Sequence, residues 1–211
     1  MSPEGISELL QCFLAPGVQL NENQLNSISA YIDILLKWNA RMNLTAVRQP
    51  EEIVQRHFGE SLFAAQKLFP DRTKLKKLPR VLDIGSGAGF PGIAVKIWVS
   101  HISVTLIEAN QKKATFLREV VRLLTLMDID VFSGRAETYE KHADVVTLRA
   151  VEKFEAVLPI AVSKVEANGR LALLIGQSQV AGAHRLAPTL HWDAPIVVPG
   201  SSNRVILVGR T

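Results

Sequence analysis

The sequence predicts an α/β fold, a mostly parallel sheet with helices on both faces, and three observations predict it. From Arg80 onward, short apolar runs alternate with amphipathic stretches of helical length. A glycine-rich segment, beginning at Asp83 and ending at Gly92, lies between the first run and the first such stretch. Before Arg80 the periodicity is helical throughout. The apolar runs are residues 81–84, 104–107, 129–132, 145–148 and 171–175, with helical patterns over 92–98, 112–124 and 154–165. Residues 196–198 and 205–208, joined by a turn-like 199–203, have the spacing of a hairpin. That hairpin adds an antiparallel strand and brings the expected sheet to seven strands.

The first 70 or so residues read as a helical extension. Asn21 is placed to cap a helix whose apolar set, Leu25, Ile28, Ile32, Leu35 and Leu36, recurs at helical spacing. Pro50-Glu51-Glu52 has the proline and acids of a first helical turn. Pro70 and a basic stretch reaching Pro79 close this region. The expected division is 1–70 for the extension and 71–211 for the sheet domain, packed as one compact unit.

With 211 residues the chain is long enough for one full core plus an appendage. A hydrophobic content of 47% and a charged content of 21% exclude a disordered chain. Cys12 is the single cysteine, so no internal disulfide forms and a reducing compartment fits. The N-terminus lacks a secretory pattern, and no apolar run approaches the roughly 20 residues of a membrane span. The expectation is a soluble, cytoplasmic monomer that requires no metal. Net charge is +4 with a pI near 9.3, and the distribution matters more than the total. Arg72, Lys74, Lys76, Lys77 and Arg80 form one cluster, and Lys112, Lys113, Arg118 and Arg122 another. Such clusters suit a phosphate polymer, whose counterions they displace, or serve as solvated faces.

Glycines in the 83–92 segment permit positive φ and let backbone approach a ligand without a Cβ clash. Asp83 precedes the first glycine by two residues, and Glu108 ends the second run roughly 20 residues further on, where an acid accepts hydrogen bonds from ribose. Gly87-x-Gly89-x-x-Gly92 also matches the dinucleotide string. That register needs a strand running past Gly85 to Ser86, and an acid so near the glycines repels a pyrophosphate. S-adenosylmethionine has no phosphate, and its ammonium and sulfonium are cationic. The segment therefore favours S-adenosylmethionine as cofactor. A seven-stranded sheet of this kind resembles the Rossmann-like class I S-adenosylmethionine-dependent methyltransferases.

The methyl acceptor is constrained by absences. An Asp/Asn-Pro-Pro-aromatic loop serves exocyclic amines, whereas this chain has Thr147-Leu148-Arg149-Ala150 after the fourth run. Methylation of a pyrimidine C5 needs a thiolate, and Cys12 lies far from the sheet in sequence. Guanine N7 has an in-plane lone pair and no proton, so alignment alone suffices. Small-molecule methyltransferases share this bareness, so a small molecule or another RNA site remains the alternative. A non-catalytic RNA-binding module would not need the intact glycines and acids.

Six blocks in order resemble the bacterial small-subunit rRNA guanine-N7 methyltransferases, also called the glucose-inhibited division protein B family. They are Lys37-Trp38-Asn39 with Asn43-Leu44-Thr45; Arg56-His57-Phe58 with Glu60-Ser61-Leu62; the glycine segment through Phe90-Pro91-Gly92-Ile93; Leu106-Ile107-Glu108 with Lys112-Lys113 and Phe116-Leu117; Arg135-Ala136-Glu137; and Arg149-Ala150. The resemblance implies methylation of N7 on guanine-527 of 16S rRNA, within the small ribosomal subunit or its precursor. It also implies a donor pocket that includes Gly85, Phe90, Ala136, Glu137 and Arg149, besides Asp83, Gly87, Gly89 and Glu108. Two positions depart from the family: Gly176-Gln177 replaces its usual Lys-Gly, and Glu60 its more frequent Asp.

Candidates for positioning the substrate are Asn39, Arg41, Asn43, His57 and Arg149. Asn39, Arg41, Asn43 and Thr45 serve equally to cap a helix and shape the turn after Trp38. His57, beside Phe58, fits a half-buried hydrogen-bonded histidine as well as a base or phosphate contact. Arg149 ends the fourth run, where strand ends rim a site, with an ion pair to Glu137 or Glu152 as its structural alternative. Trp98 and Trp192 are assigned to packing.

Overall fold

The computed structural model describes residues 1–71 and 78–211. Four of the five residues of the first basic cluster, Arg72, Lys74, Lys76 and Lys77, lie outside these. Helix α1 (Pro3–Leu10) starts on Ser2, whose hydroxyl accepts the Gly5 N–H, and leads to α2 (Glu22–Met42). Asn21 caps α2 as expected, in a reciprocal box with Gln24. Asn43 closes it in the left-handed region at φ 49°. Pro50 opens α3 (Pro50–Ile53), which widens into a π-helical turn (Val54–Gly59) and continues as α4 (Glu60–Leu68).

The sheet comprises β1 (Arg80–Ile84), β2 (Ser103–Glu108), β3 (Ile129–Ser133), β4 (Ala143–Arg149), β5 (Val165–Gly176), β6 (His191–Trp192), β7 (Ile196–Val197) and β8 (Arg204–Arg210). Strands run in the order β3-β2-β1-β4-β5-β8-β6, with β7 also paired to β8. The first five are mutually parallel and β8 is antiparallel to β5, as the hairpin pattern predicts. Two differences from expectation concern polar residues. β5 begins at Val165 rather than Leu171, because Glu166, Asn168 and Arg170 interrupt the apolar run while a register shift keeps the strand on β4. Val165 therefore belongs to that strand, and the preceding helix ends at Ser163. The two-residue β6 is an eighth strand that no apolar run announces.

Alternation along the strands divides the core. Val81, Val104, Leu106, Val145, Ala172, Leu174 and Ile206 pack with α2, α4, α5 (Gly92–Trp98) and α6 (Gln111–Leu123). Leu82, Ile107, Leu148, Leu171, Leu173 and Leu207 face α7 (Phe154–Ser163) and α8 (Val180–Leu186). Residues of α1 and α2 thus share an apolar cluster with one face of the sheet. Trp98 is buried there, and Trp192 packs on His184 of α8. From β1 the chain moves outward through β2 and β3, then returns to β1's other side as β4. Strand order therefore reverses between β1 and β4, which leaves a crevice beyond their carboxyl ends. No helix among the described residues is long and apolar enough to cross a membrane.

Candidate active site

The glycine segment turns sharply over that crevice, with φ of 70° at Gly85, 55° at Gly87 and 89° at Gly89. Gly85 and Ser86 donate backbone N–H to the Ile107 carbonyl at 2.9 and 3.0 Å, tying the turn to the end of β2. From behind, Asp83 fixes the following helix. Its Oδ1 accepts the Thr147 hydroxyl at 2.7 Å and its Oδ2 the Gly92 N–H at 3.2 Å. Burial raises the pKa of this carboxyl, which the Thr147 and Gly92 hydrogen bonds oppose. From above, α2 clamps the turn. Tyr31 donates to the Ala88 carbonyl at 2.5 Å, and its ring stacks on Phe90 with centroids 5.2 Å apart. A Cβ on Gly89 would collide with the Tyr31 hydroxyl, so only glycine lets the helix approach this closely.

The result is a cleft of about 730 Å³ at the point where strand order reverses. Gly85, Gly87, Phe90 and Glu108 line one part of it, and Ala136, Glu137, His57 and Arg149 another. Asp83 and Gly89 are not on its wall; they hold the wall in place. Glu108 accepts the Gly87 N–H at 2.9 Å through one oxygen and the Asn110 N–H at 2.7 Å through the other. Asn39, Arg41 and Asn43 do not line the cleft. Asn39 is buried and shapes the turn, accepting the Thr45 N–H at 2.9 Å and donating to the Val47 carbonyl at 3.3 Å. Asn43 accepts from Arg48, and Arg41 is exposed.

Arg149 does not pair with Glu137 or Glu152. It donates to Glu60 at 3.0 Å and to the Arg56 carbonyl at 2.6 Å, and its Nη atoms lie 3.1 Å from His57 Nδ1. Arg204 reaches the same Glu60 oxygen at 2.7 Å. Burial, followed by the charges of Arg149, Arg56 and Arg204, lowers the His57 pKa to about 3. The ring is neutral and stacks on Phe90 at 5.0 Å. One donor in this network, Arg149 Nε, is buried without a hydrogen-bond partner. A second cavity of about 200 Å³ adjoins Arg149 and Arg204, and Gly176, where the chain departs from the family pattern, lines it.

Thr45 and Lys113 line the cleft as well, and Tyr31 and Arg204, which brace it, were not among its expected residues. Tyr31 lies three residues after Ile28 and so carried a helical-spacing signal, whereas Arg204 had no local signal at all. Among the described residues no group of three or more His, Cys, Asp or Glu side chains could hold a metal.

The fold and the cleft at its switch point define a class I methyltransferase architecture. A predicted O-methyltransferase from Agrobacterium tumefaciens aligns with a TM-score of 0.58 at 21% identity, over 72% of this chain and 79% of that one. M. jannaschii TYW2 in complex with AdoMet aligns at 0.54 and 15% identity, over 72% and 74%. The profile of the rRNA small subunit methyltransferase G family matches residues 24–193, and the chain belongs to that family. Ribosomal RNA small subunit methyltransferase G of Chloroflexus aggregans (strain MD-66 / DSM 9485) is 34% identical over 95% of this chain and 87% of its own length. The protein of that name from Exiguobacterium sp. (strain ATCC BAA-1283 / AT1b) is 39% identical over 74% and 67%. The chain is thus an rRNA methyltransferase of the small-subunit type.

Proposed function

We propose that this chain transfers the methyl group of S-adenosylmethionine to N7 of guanine-527 in 16S rRNA, as a cytoplasmic monomer acting on the small subunit or its precursor. The observation that carries the reading is a single cleft uniting the glycine turn, Glu108 and Arg149 where the strand order reverses. Its volume of about 730 Å³ suits a nucleoside bearing an amino-acid tail. The M. jannaschii neighbour holds AdoMet on the same fold. When bound, the cofactor supplies a methyl group on a sulfonium, open to in-line displacement.

The chain's own residues then bind and orient. Each oxygen of Glu108 has one lone pair taken by backbone and another left for a ribose hydroxyl. Ile107 and Ala136 present apolar surface to an adenine. Arg149 lines the cleft and places a positive charge at its wall, where the cofactor's carboxylate is drawn, and Glu60 holds the guanidinium in place. Asp83 and Gly89 support the glycine turn from behind. His57 stays neutral at physiological pH, and no proton has to be removed from N7. Catalysis then rests on alignment and proximity.

The test is transfer of labelled methyl to small subunits lacking the modification, followed by digestion and mass spectrometry. Label recovered as 7-methylguanosine at one site supports the reading. Label on another base or atom, or none despite donor binding, refutes it.

A further inference from the structure

Thr45 lines the cleft from the turn after α2, and its hydroxyl oxygen lies 2.7 Å from His57 Nε2. The far side of the ring sets the direction of that bond. Arg149 sits 3.1 Å from Nδ1, and a guanidinium can only donate. Nδ1 therefore accepts, the ring proton is on Nε2, and it is given to Thr45 Oγ1. The same oxygen accepts the Val47 N–H at 3.1 Å. Both lone pairs of the hydroxyl are thus occupied. Its own proton has no partner among the described residues.

A threonine hydroxyl ordinarily adapts to either role, whereas this one is confined to donating. Next to N7 on the same edge of guanine is O6, an acceptor; adenine carries an amino donor there. We infer that Thr45 is a specificity-determining residue whose hydroxyl donates to O6 of the target guanine and finds no complement in adenine. His57 and Arg149 act through it, as positioning residues that fix its polarity. This inference rests on the guanine-N7 reading given above.

The experiment compares methyl transfer into small subunits reconstituted around rRNA with guanine or 2-aminopurine at the target position. 2-Aminopurine keeps N7 and lacks O6. Intrinsic differences in N7 reactivity are common to all variants and cancel in the guanine/2-aminopurine ratio of kcat/KM. Relative to the unaltered protein, Thr45→Val is expected to lower that ratio about tenfold, the worth of one hydrogen bond of some 1.4 kcal/mol. Thr45→Ser restores the ratio. An undiminished ratio in Thr45→Val, with label still on guanine N7, overturns the inference and leaves the proposed function standing. Label on a different atom in the unaltered protein overturns that function, and this inference with it.

Discussion

Asp83 and Glu108 both end strands beside the glycine turn, yet the fold gives them different tasks. Asp83 is enclosed, its two oxygens committed to Thr147 and Gly92. Glu108 is on the cleft wall with lone pairs to spare. Asp83→Asn turns an amide group toward one of two donors, and is expected to lower stability by about 1–3 kcal/mol in urea unfolding. Glu108→Gln is expected to weaken S-adenosylmethionine binding roughly tenfold in calorimetry, since one ribose acceptor is lost. Both acids were legible in the sequence, but the inward orientation of Asp83 was not, since it depends on Thr147, 64 positions away. His57 gives a pH signature. Its folded pKa of about 3 lies below the unfolded value near 6.5, so its contribution to stability is complete above pH 6.5 and is lost as pH falls toward 3. Between pH 7 and 5 the parent protein should lose about 2 kcal/mol more than His57→Asn, as read by denaturant midpoints at the two pH values.

At the scale of elements, the glycine turn is a clamped structure, held by Asp83 below and by Tyr31 of α2 above. Gly89→Ala drives a methyl group into the Tyr31 hydroxyl at a residue whose φ is 89°. It is expected to cost at least about 2 kcal/mol, and to weaken donor binding although residue 89 does not face the cleft. Urea unfolding and a donor titration on the same variant check both effects. The turn, its flanking strand and α5 were legible because an apolar run, an acid and glycines follow one another between residues 81 and 92. The polar first half of β5 was not, because pairing with β4 rather than apolar content keeps it in the sheet. The π-helical turn carrying His57 was equally hidden, since its residues differ little from those of an α-helix.

At the scale of the molecule, the wall of the cleft and an exposed basic face meet at α6. Lys113 lines the cleft, while Lys112, Arg118 and Arg122 of the same helix are exposed. Arg80, by contrast, is engaged by Asp144 and Glu166 and is not a free phosphate contact. Charge reversal at Lys112, Arg118 and Arg122 together is expected to weaken subunit binding and to flatten its salt dependence, by about 0.7–0.9 in log–log slope for each phosphate no longer neutralised. Binding measured across a salt series checks this, with S-adenosylmethionine affinity unchanged. The mostly parallel sheet and its two-sided helical cover followed from alternation alone. What joined Arg149 to Glu60 and Arg204 did not, because those residues come from three separate parts of the chain.

The most direct measurement is a crystal structure of this protein with S-adenosylmethionine bound. The ribose is expected on Glu108, the adenine against Ile107 and Ala136, and the carboxylate toward the Arg149 wall of the cleft. A cofactor lying elsewhere, or a ribose that makes no hydrogen bond to Glu108, would contradict the proposed site.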